Sequence, residues 1–491
     1  MDPREERCLD LTRRRFFGQA AAGLGSVALG AFFGGLSPLA SRAAANTPDG
    51  AAAGHVPGVH HRPRARRVIY MHMEGAPSQL DLFDHKPGLR SRFQLELPDS
   101  IRQGQRLTGM TRNQDRFPVA PSIFRFSRYP NAGDGAWISE LLPHTARLSR
   151  ELCIVRSMHT DAINHEPGIT FFQTGSQQPG RPSFGSWMSY GLGSSNADLP
   201  AFVVLISQGF GNMQALSSRF WGSGFLPGEH QGCRLRSSGD PVLYLSDPPG
   251  VSRADRRRML DLVGELNERE MARSLDPAVR SRIAQAEMAY RMQMSVPELV
   301  DFTDESADTL ALYGEKVHEP GSFAANCLLA RRLAERGVRF IQLYLRGWDA
   351  HNDLPKEIRD QCAAVDQPTA GLLLDLKRRG LLEDTLVIWG GEFGRTVYSQ
   401  GTLTRDNYGR DHHPRCFSLW LAGGGVKPGI VFGETDDFSY NIVRDPVDVH
   451  DLHATMLHLL GLDHRRLTYR HEGRDHRLTD VFGEVRHELL A

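Results

Sequence analysis

The 491-residue sequence has no net charge: Lys plus Arg and Asp plus Glu each number 58. That balance leaves no electrostatic footprint for nucleic acid or an anionic membrane. Cysteine is scarce. Cys8 lies near the amino terminus, and Cys153, Cys233, Cys327, Cys362 and Cys416 are scattered without a C-x-x-C pair. Five is odd, so at least one thiol stays outside any intrachain bridge. The pattern reads as small buried hydrophobes, not as a disulfide framework or a zinc-thiolate site. Internal repeats at solenoid spacing and the local metal motif H-E-x-x-H are also missing. No apolar run suits a stable membrane span; Ala20 to Phe33 is too short and too rich in Gly and Ala.

That run follows a twin-arginine signature, Thr12-Arg13-Arg14-Arg15-Phe16-Phe17, and precedes a small-residue cleavage site at Ala43-Ala44-Ala45. The expected layout is a twin-arginine signal peptide over 1–45, a flexible leader over 46–66, and one α/β domain over 67–491. The implied partner is the twin-arginine export machinery. The implied location is periplasmic or extracellular, with no membrane attachment after cleavage.

Short apolar runs at Arg67–Met73, Leu152–Met158, Ala201–Ile206, Val338–Leu345, Thr385–Trp389 and Phe417–Leu421 predict strands. Helical periodicity at 183–190, 324–336, 356–379 and 449–460 falls between or after them, and Gly337, Gly380 and Gly461 mark helix ends. Alternating strands and helices predict a mostly parallel central sheet covered on both faces. The charged, periodic stretch near 252–294 predicts a helical insertion that opens at Ser252.

The 20 histidines matter because several fall in polar clusters with carboxylates. Ligands bind at the carboxyl ends of strands in such sheets. There the sequence has Glu74-Gly75-Ala76-Pro77-Ser78 with Asp81 beyond, Asp349 with His351 and Asp353, and Glu392 with Arg395. A loop before the last strand carries His412 and His413. Hard oxygen and imidazole ligands converging from separate segments suit a divalent metal. Arg181 and Arg395 are candidates to bind an anionic oxyacid by paired hydrogen bonds. Trp348, beside Asp349, is a candidate to line a sugar site.

The run from Thr385 to Gly461 resembles the carboxyl-terminal half of the alkaline phosphatase and sulfatase superfamily. It has the strand TLVIW, then GGEFG, the later strand FSLWLAGGGVKPG, and the helix DLHATMLHLLGL. The whole chain resembles an exported, sulfatase-like family called domain of unknown function 1501. The motifs that carry this are EGAPSQLDLFDHKP, NHEPGITFFQTG, GRPSFGSWMSYGLG, GWDAHND, GGEFGRT and GRDHHP. The resemblance implies an alkaline phosphatase/sulfatase-like three-layer sandwich with helical insertions. It also implies a divalent metal: zinc first, with manganese, calcium or magnesium as the other choices. On this reading the metal residues are drawn from Glu74, Asp81, Asp349, His351, Asp353, Glu392, His412 and His413, with Glu74 and Asp81 as alternatives. Phe393 stands where the superfamily has a metal histidine. His165 stands where sulfatases carry the cysteine that becomes formylglycine, so that chemistry is excluded. His165 becomes the candidate catalytic residue or a further ligand, and Asn164 beside it a candidate substrate contact. The implied function is hydrolysis of a phosphate or sulfate ester, on a small molecule or a polysaccharide. The other reading is a non-catalytic binding or scaffold protein that keeps the fold.

Overall fold

The structure, a computed structural model, describes residues 58–211, 213–236, 250–274 and 277–491. The expected signal peptide and residues 46–57 of the leader lie outside these. The chain divides into two units. Among the described residues, one unit contains 250–300 and the other contains 58–236 and 301–491.

In the larger unit the principal strands are β1 (Arg67–Glu74), β2 (Leu152–His159), β3 (Phe202–Ser207), β4 (Cys233–Leu235), β5 (Phe340–Arg346), β6 (Thr385–Gly390), β7 (Gly394–Gln400), β8 (Gly409–His413), β9 (Phe417–Ala422), β10 (Ile430–Phe432) and β11 (Val447–Asp448). Its principal helices are α1 (His165–Thr174), α2 (Phe184–Leu192), α3 (Phe323–Glu335), α4 (Leu354–Arg378) and α5 (Val449–Leu459). A nine-stranded sheet runs in the order β10-β2-β9-β6-β1-β5-β3-β4, with β11 also on β2. It is parallel except at β9, which is antiparallel to both neighbours. The fold is therefore α/β with a mostly parallel central sheet.

Alternation along the strands buries both faces. Val68, Tyr70, Phe340 and Tyr344 share one core with Ile169 and Phe172 of α1, Trp187 of α2, and Leu452 and Met456 of α5. The intervening Ile69, Met71, Ile341 and Leu343 are equally buried, and α3 crosses β5. Local sequence sets the helix ends. Ser322 accepts from Ala325 N at the start of α3, Asp448 and Asp451 form a capping box on α5, and Gly175 ends α1 in the left-handed conformation.

Two expectations need correction. The segment around His412, read as a loop, is a strand: β8 pairs antiparallel with β7, which begins at Gly394. The described end of the supposed flexible leader is fastened down, since His60 N donates to Gly461 O, Arg64 N and Ala65 N donate to Leu459 O, and Ala65 is buried.

The smaller unit contains the helices Arg253–Ser274 and Pro277–Val300, which an Arg257–Glu287 ion pair joins. No described helix is long and apolar enough to cross a membrane. The five described cysteines are free thiols.

Candidate metal centre

Three neighbouring strands of the parallel block deliver carboxylates to one edge. β1 ends on Glu74, β5 leads into Asp349, and β6 leads into Glu392. The turns lie in close contact because two positions lack side chains. Gly347 has φ +105, and a Cβ there would meet Phe210 O at 1.7 Å. Gly75 has φ +103, and its Cβ would meet Asp349 N at 2.5 Å. Trp348 N donates to Glu74 O at 3.0 Å, and Gly75 N donates to Glu392 Oε1 at 3.1 Å. These bonds lock the three turns together.

Imidazoles then converge on Asp349. Its Oδ1 lies 3.0 Å from His165 Nε2, 2.7 Å from His351 Nε2 and 3.4 Å from His412 Nε2. His165 opens α1; His412 comes from β8. The other ring nitrogen of each histidine is occupied. His412 Nδ1 lies 2.7 Å from Ile163 O, His351 Nδ1 lies 2.6 Å from Gln400 Oε1, and His165 Nδ1 lies 2.5 Å from Glu392 Oε1. A backbone carbonyl only accepts, so His412 Nδ1 carries the hydrogen, and the neutral ring turns a lone pair on Nε2 towards a carboxylate oxygen. That juxtaposition is repulsive unless positive charge lies between. Arg395 Nη2 donates to the same oxygen at 2.7 Å, and Gln214 Nε2 donates to Oδ2 at 3.1 Å.

The charge balance points the same way. Burial and the neighbouring Glu392 push the Glu74 carboxyl up to about 8. Burial alone would raise Asp349, but His165, His351, His412 and Arg395 outweigh it and hold its carboxyl well below the ordinary range. Burial would likewise raise Glu392, yet His165 and His72 hold it low. Burial would lower His165, but Asp349 and Glu392 on either side raise it to about 9. Burial lowers His412 to about 4, so it is neutral at pH 7. Buried atoms left without a hydrogen-bond partner include Glu74 Oε1, Glu392 Oε2, His165 Nε2 and His72 Nε2. Two sets of ligand atoms lie within 4.8 Å of one another: His165, Asp349, His351 and His412, and Glu74, His165 and Glu392. Ligands about 2.0–2.2 Å from a common ion are separated by no more than roughly 4.4 Å, close to the spread of these sets.

Other candidates are placed elsewhere. Asp81 is fully buried but satisfied: Ser78 Oγ at 2.5 Å, Tyr408 OH at 2.7 Å and Arg410 Nε at 2.8 Å donate to it. His413 points away from His412, as strand neighbours do, with Nε2 2.7 Å from Tyr440 O and Nδ1 3.3 Å from Gln105 Nε2. Asp353 is exposed at the start of α4 and accepts from Asn407 Nδ2. Arg395 is fully buried, with its guanidinium spent on the carbonyls of Gly75, Ala76, Trp348 and Arg410 and on Asp349, so that it braces the site. Arg181 donates to Asp480 at 2.8 Å and pins the carboxyl-terminal segment. Asn164 is exposed, and its backbone carbonyl starts α1. Trp348 is buried edge-on against Trp389, within the core. Phe393 packs against the rings of His165 and His412.

One residue of the centre escaped the sequence reading. His72 sits inside β1 with Nε2 3.3 Å from Glu392 Oε2. Its signal was an imidazole within the otherwise apolar run, two positions before Glu74 and therefore on the same face.

No curated protein matches the chain. The alkaline phosphatase from the Antarctic bacterium TAB5 aligns at 11% identity over 82% of this chain and 99% of its own, with a TM-score of 0.32. The PsFucS1 sulfatase from Pseudoalteromonas sp. aligns at 14% identity over 85% and 76%, with a TM-score of 0.33. An alkaline phosphatase superfamily protein from Vibrio parahaemolyticus aligns at 10% identity over 84% and 70%, also at 0.33. The family model described as "Protein of unknown function (DUF1501)" matches residues 65–490, and the chain belongs to that family.

Proposed function

We propose that this protein is an exported, metal-dependent hydrolase of phosphate or sulfate esters that works without formylglycine. The observation that carries the reading is the convergence of His165, His351 and His412 on one oxygen of Asp349, with the His412 lone pair turned towards it. A bound divalent cation would supply positive charge to the non-bridging oxygens of the ester. His351 and His412 would hold it through Nε2, each oriented by the bond at Nδ1. Asp349 and Glu392 would add carboxylate charge, as would Glu74. His165 is oriented through Nδ1 on Glu392 and offers Nε2 to the centre as a ligand or as the site of proton transfer. Arg395 fixes Asp349, and the buried surroundings exclude bulk water.

The second reading, a binding or scaffold protein, is favoured by the depth of the site. Glu74 and Glu392 are 0% exposed, Asp349 and His412 4%, and His165 8%. One experiment addresses both. The protein without its leader is purified, its zinc, manganese, calcium and magnesium are measured, and aryl phosphates, phosphodiesters and aryl sulfates are offered. Metal with turnover is expected. No turnover on any class rejects the hydrolase and leaves the scaffold reading, and turnover that disappears in His165→Ala and Glu392→Ala eliminates the scaffold. For export, replacing Arg13 and Arg14 by Lys should abolish delivery to the periplasm, read by fractionation.

A further inference from the structure

The interior of β1 has one polar exception. Its neighbours Val68, Ile69, Met71 and Met73 are apolar and fully buried, and a leucine at 72 would continue that pattern. His72 is instead 0% exposed, between Tyr344 and Phe172. A buried imidazole is costly unless its nitrogens are matched. Here both have a neighbour. Nδ1 lies 3.1 Å from Tyr70 OH, and Nε2 lies 3.3 Å from Glu392 Oε2. The opposite oxygen, Glu392 Oε1, faces His165 Nδ1 at 2.5 Å. Tyr70, His72, Glu392 and His165 thus form one buried chain from the middle of the sheet to the centre.

We infer that His72 is a positioning residue of the metal centre: it grips the far oxygen of Glu392 and fixes how that carboxylate meets His165. The inference rests on the metal-centre reading. His72 Nε2 faces the carboxylate oxygen at 3.3 Å without the alignment of a formed hydrogen bond, while Nδ1 lies within hydrogen-bond distance of the Tyr70 hydroxyl. Outer partners of this kind typically change metal affinity or activity by about 10–100-fold when removed.

The test measures zinc and manganese affinity of the purified protein by chelator competition, with metal-free thermal melting as the folding control. His72→Leu keeps the packing and removes both polar contacts, and should weaken metal binding by about 10–100-fold. His72→Gln carries an amide nitrogen to the Nε2 position and should recover most of that loss, which a packing role would not produce. Tyr70→Phe, with the ring retained, should shift affinity in the same direction by less, and serves if His72→Leu does not fold. Wild-type affinity in His72→Leu, or equal losses in His72→Leu and His72→Gln, overturns the inference while leaving the metal reading intact. A wild-type protein that takes up neither metal removes the reading beneath it.

Discussion

Asp349 and Asp81 are both buried aspartates beyond the carboxyl ends of parallel strands, and the sequence offers both as metal ligands. What surrounds them differs in kind. Asp81 is met by hydroxyls and a guanidinium, groups that carry hydrogens: Ser78, Tyr408 and Arg410. Asp349 also receives a guanidinium, from Arg395, and an amide, from Gln214, but three imidazole nitrogens crowd the same oxygen, of which His412 Nε2 is a lone pair when the ring is neutral. A carboxylate ringed by donors is complete and holds loops together. One that also faces an imidazole lone pair leaves a place where a cation can sit between the two. Residue type therefore does not separate the two aspartates; the protons on their neighbours do.

That contrast can be broken by substitution. Asp349→Asn should lower metal affinity by at least about 100-fold, beyond the loss expected from an outer partner. Chelator competition measures this, and wild-type affinity would collapse the distinction. Asp81→Asn should act on stability instead. It leaves the Arg410 guanidinium buried without its charge partner, at a cost of about 3–5 kcal/mol in denaturant unfolding, with metal stoichiometry unchanged. A buried histidine outside the centre sharpens the picture further. His453 donates through Nε2 to Phe172 O at 2.8 Å, and burial pushes its pKa down to about 3. Its folded value lies below the ordinary value near 6.5, so its neutral form is matched to the fold above that pH. Below it, the unfolded chain takes up a proton that the folded chain refuses. Stability should then fall by about 1.4 kcal/mol per pH unit until roughly pH 3. His453→Gln should flatten that part of the pH–stability curve. At the weak end, Glu140 pairs with Arg125 at 2.8 Å in solvent, the arginine side chain 85% exposed. Arg125→Ala should cost no more than about 1 kcal/mol in the same unfolding assay.

Much of this was legible in the sequence because apolar runs that break at glycine and acid reveal strand ends. Glu74, Asp349, His351 and Glu392 were found that way. Strand direction was not legible, since the residues of β9 do not differ whether it runs with or against its neighbours. The β8 segment read as loop because its buried positions are polar: Arg410, Asp411, His412 and His413. Arg395 and Arg181 looked like anion binders because a sequence does not show which carbonyls and carboxylates already hold a guanidinium. His72 was overlooked because a single imidazole barely disturbs an apolar run.

The position of β1 has a consequence for how the molecule is made. Val68 pairs with Phe340 on one side and Leu386 on the other. The first described strand to leave the ribosome is thus bare along both edges until about seven-tenths of the polypeptide exists, and along one edge until nearly four-fifths does. Such long-range pairing slows folding and leaves strand edges open to wrong partners. Nascent chains of this protein should therefore depend on a holding chaperone throughout synthesis, and truncations that end before residue 385 should be insoluble.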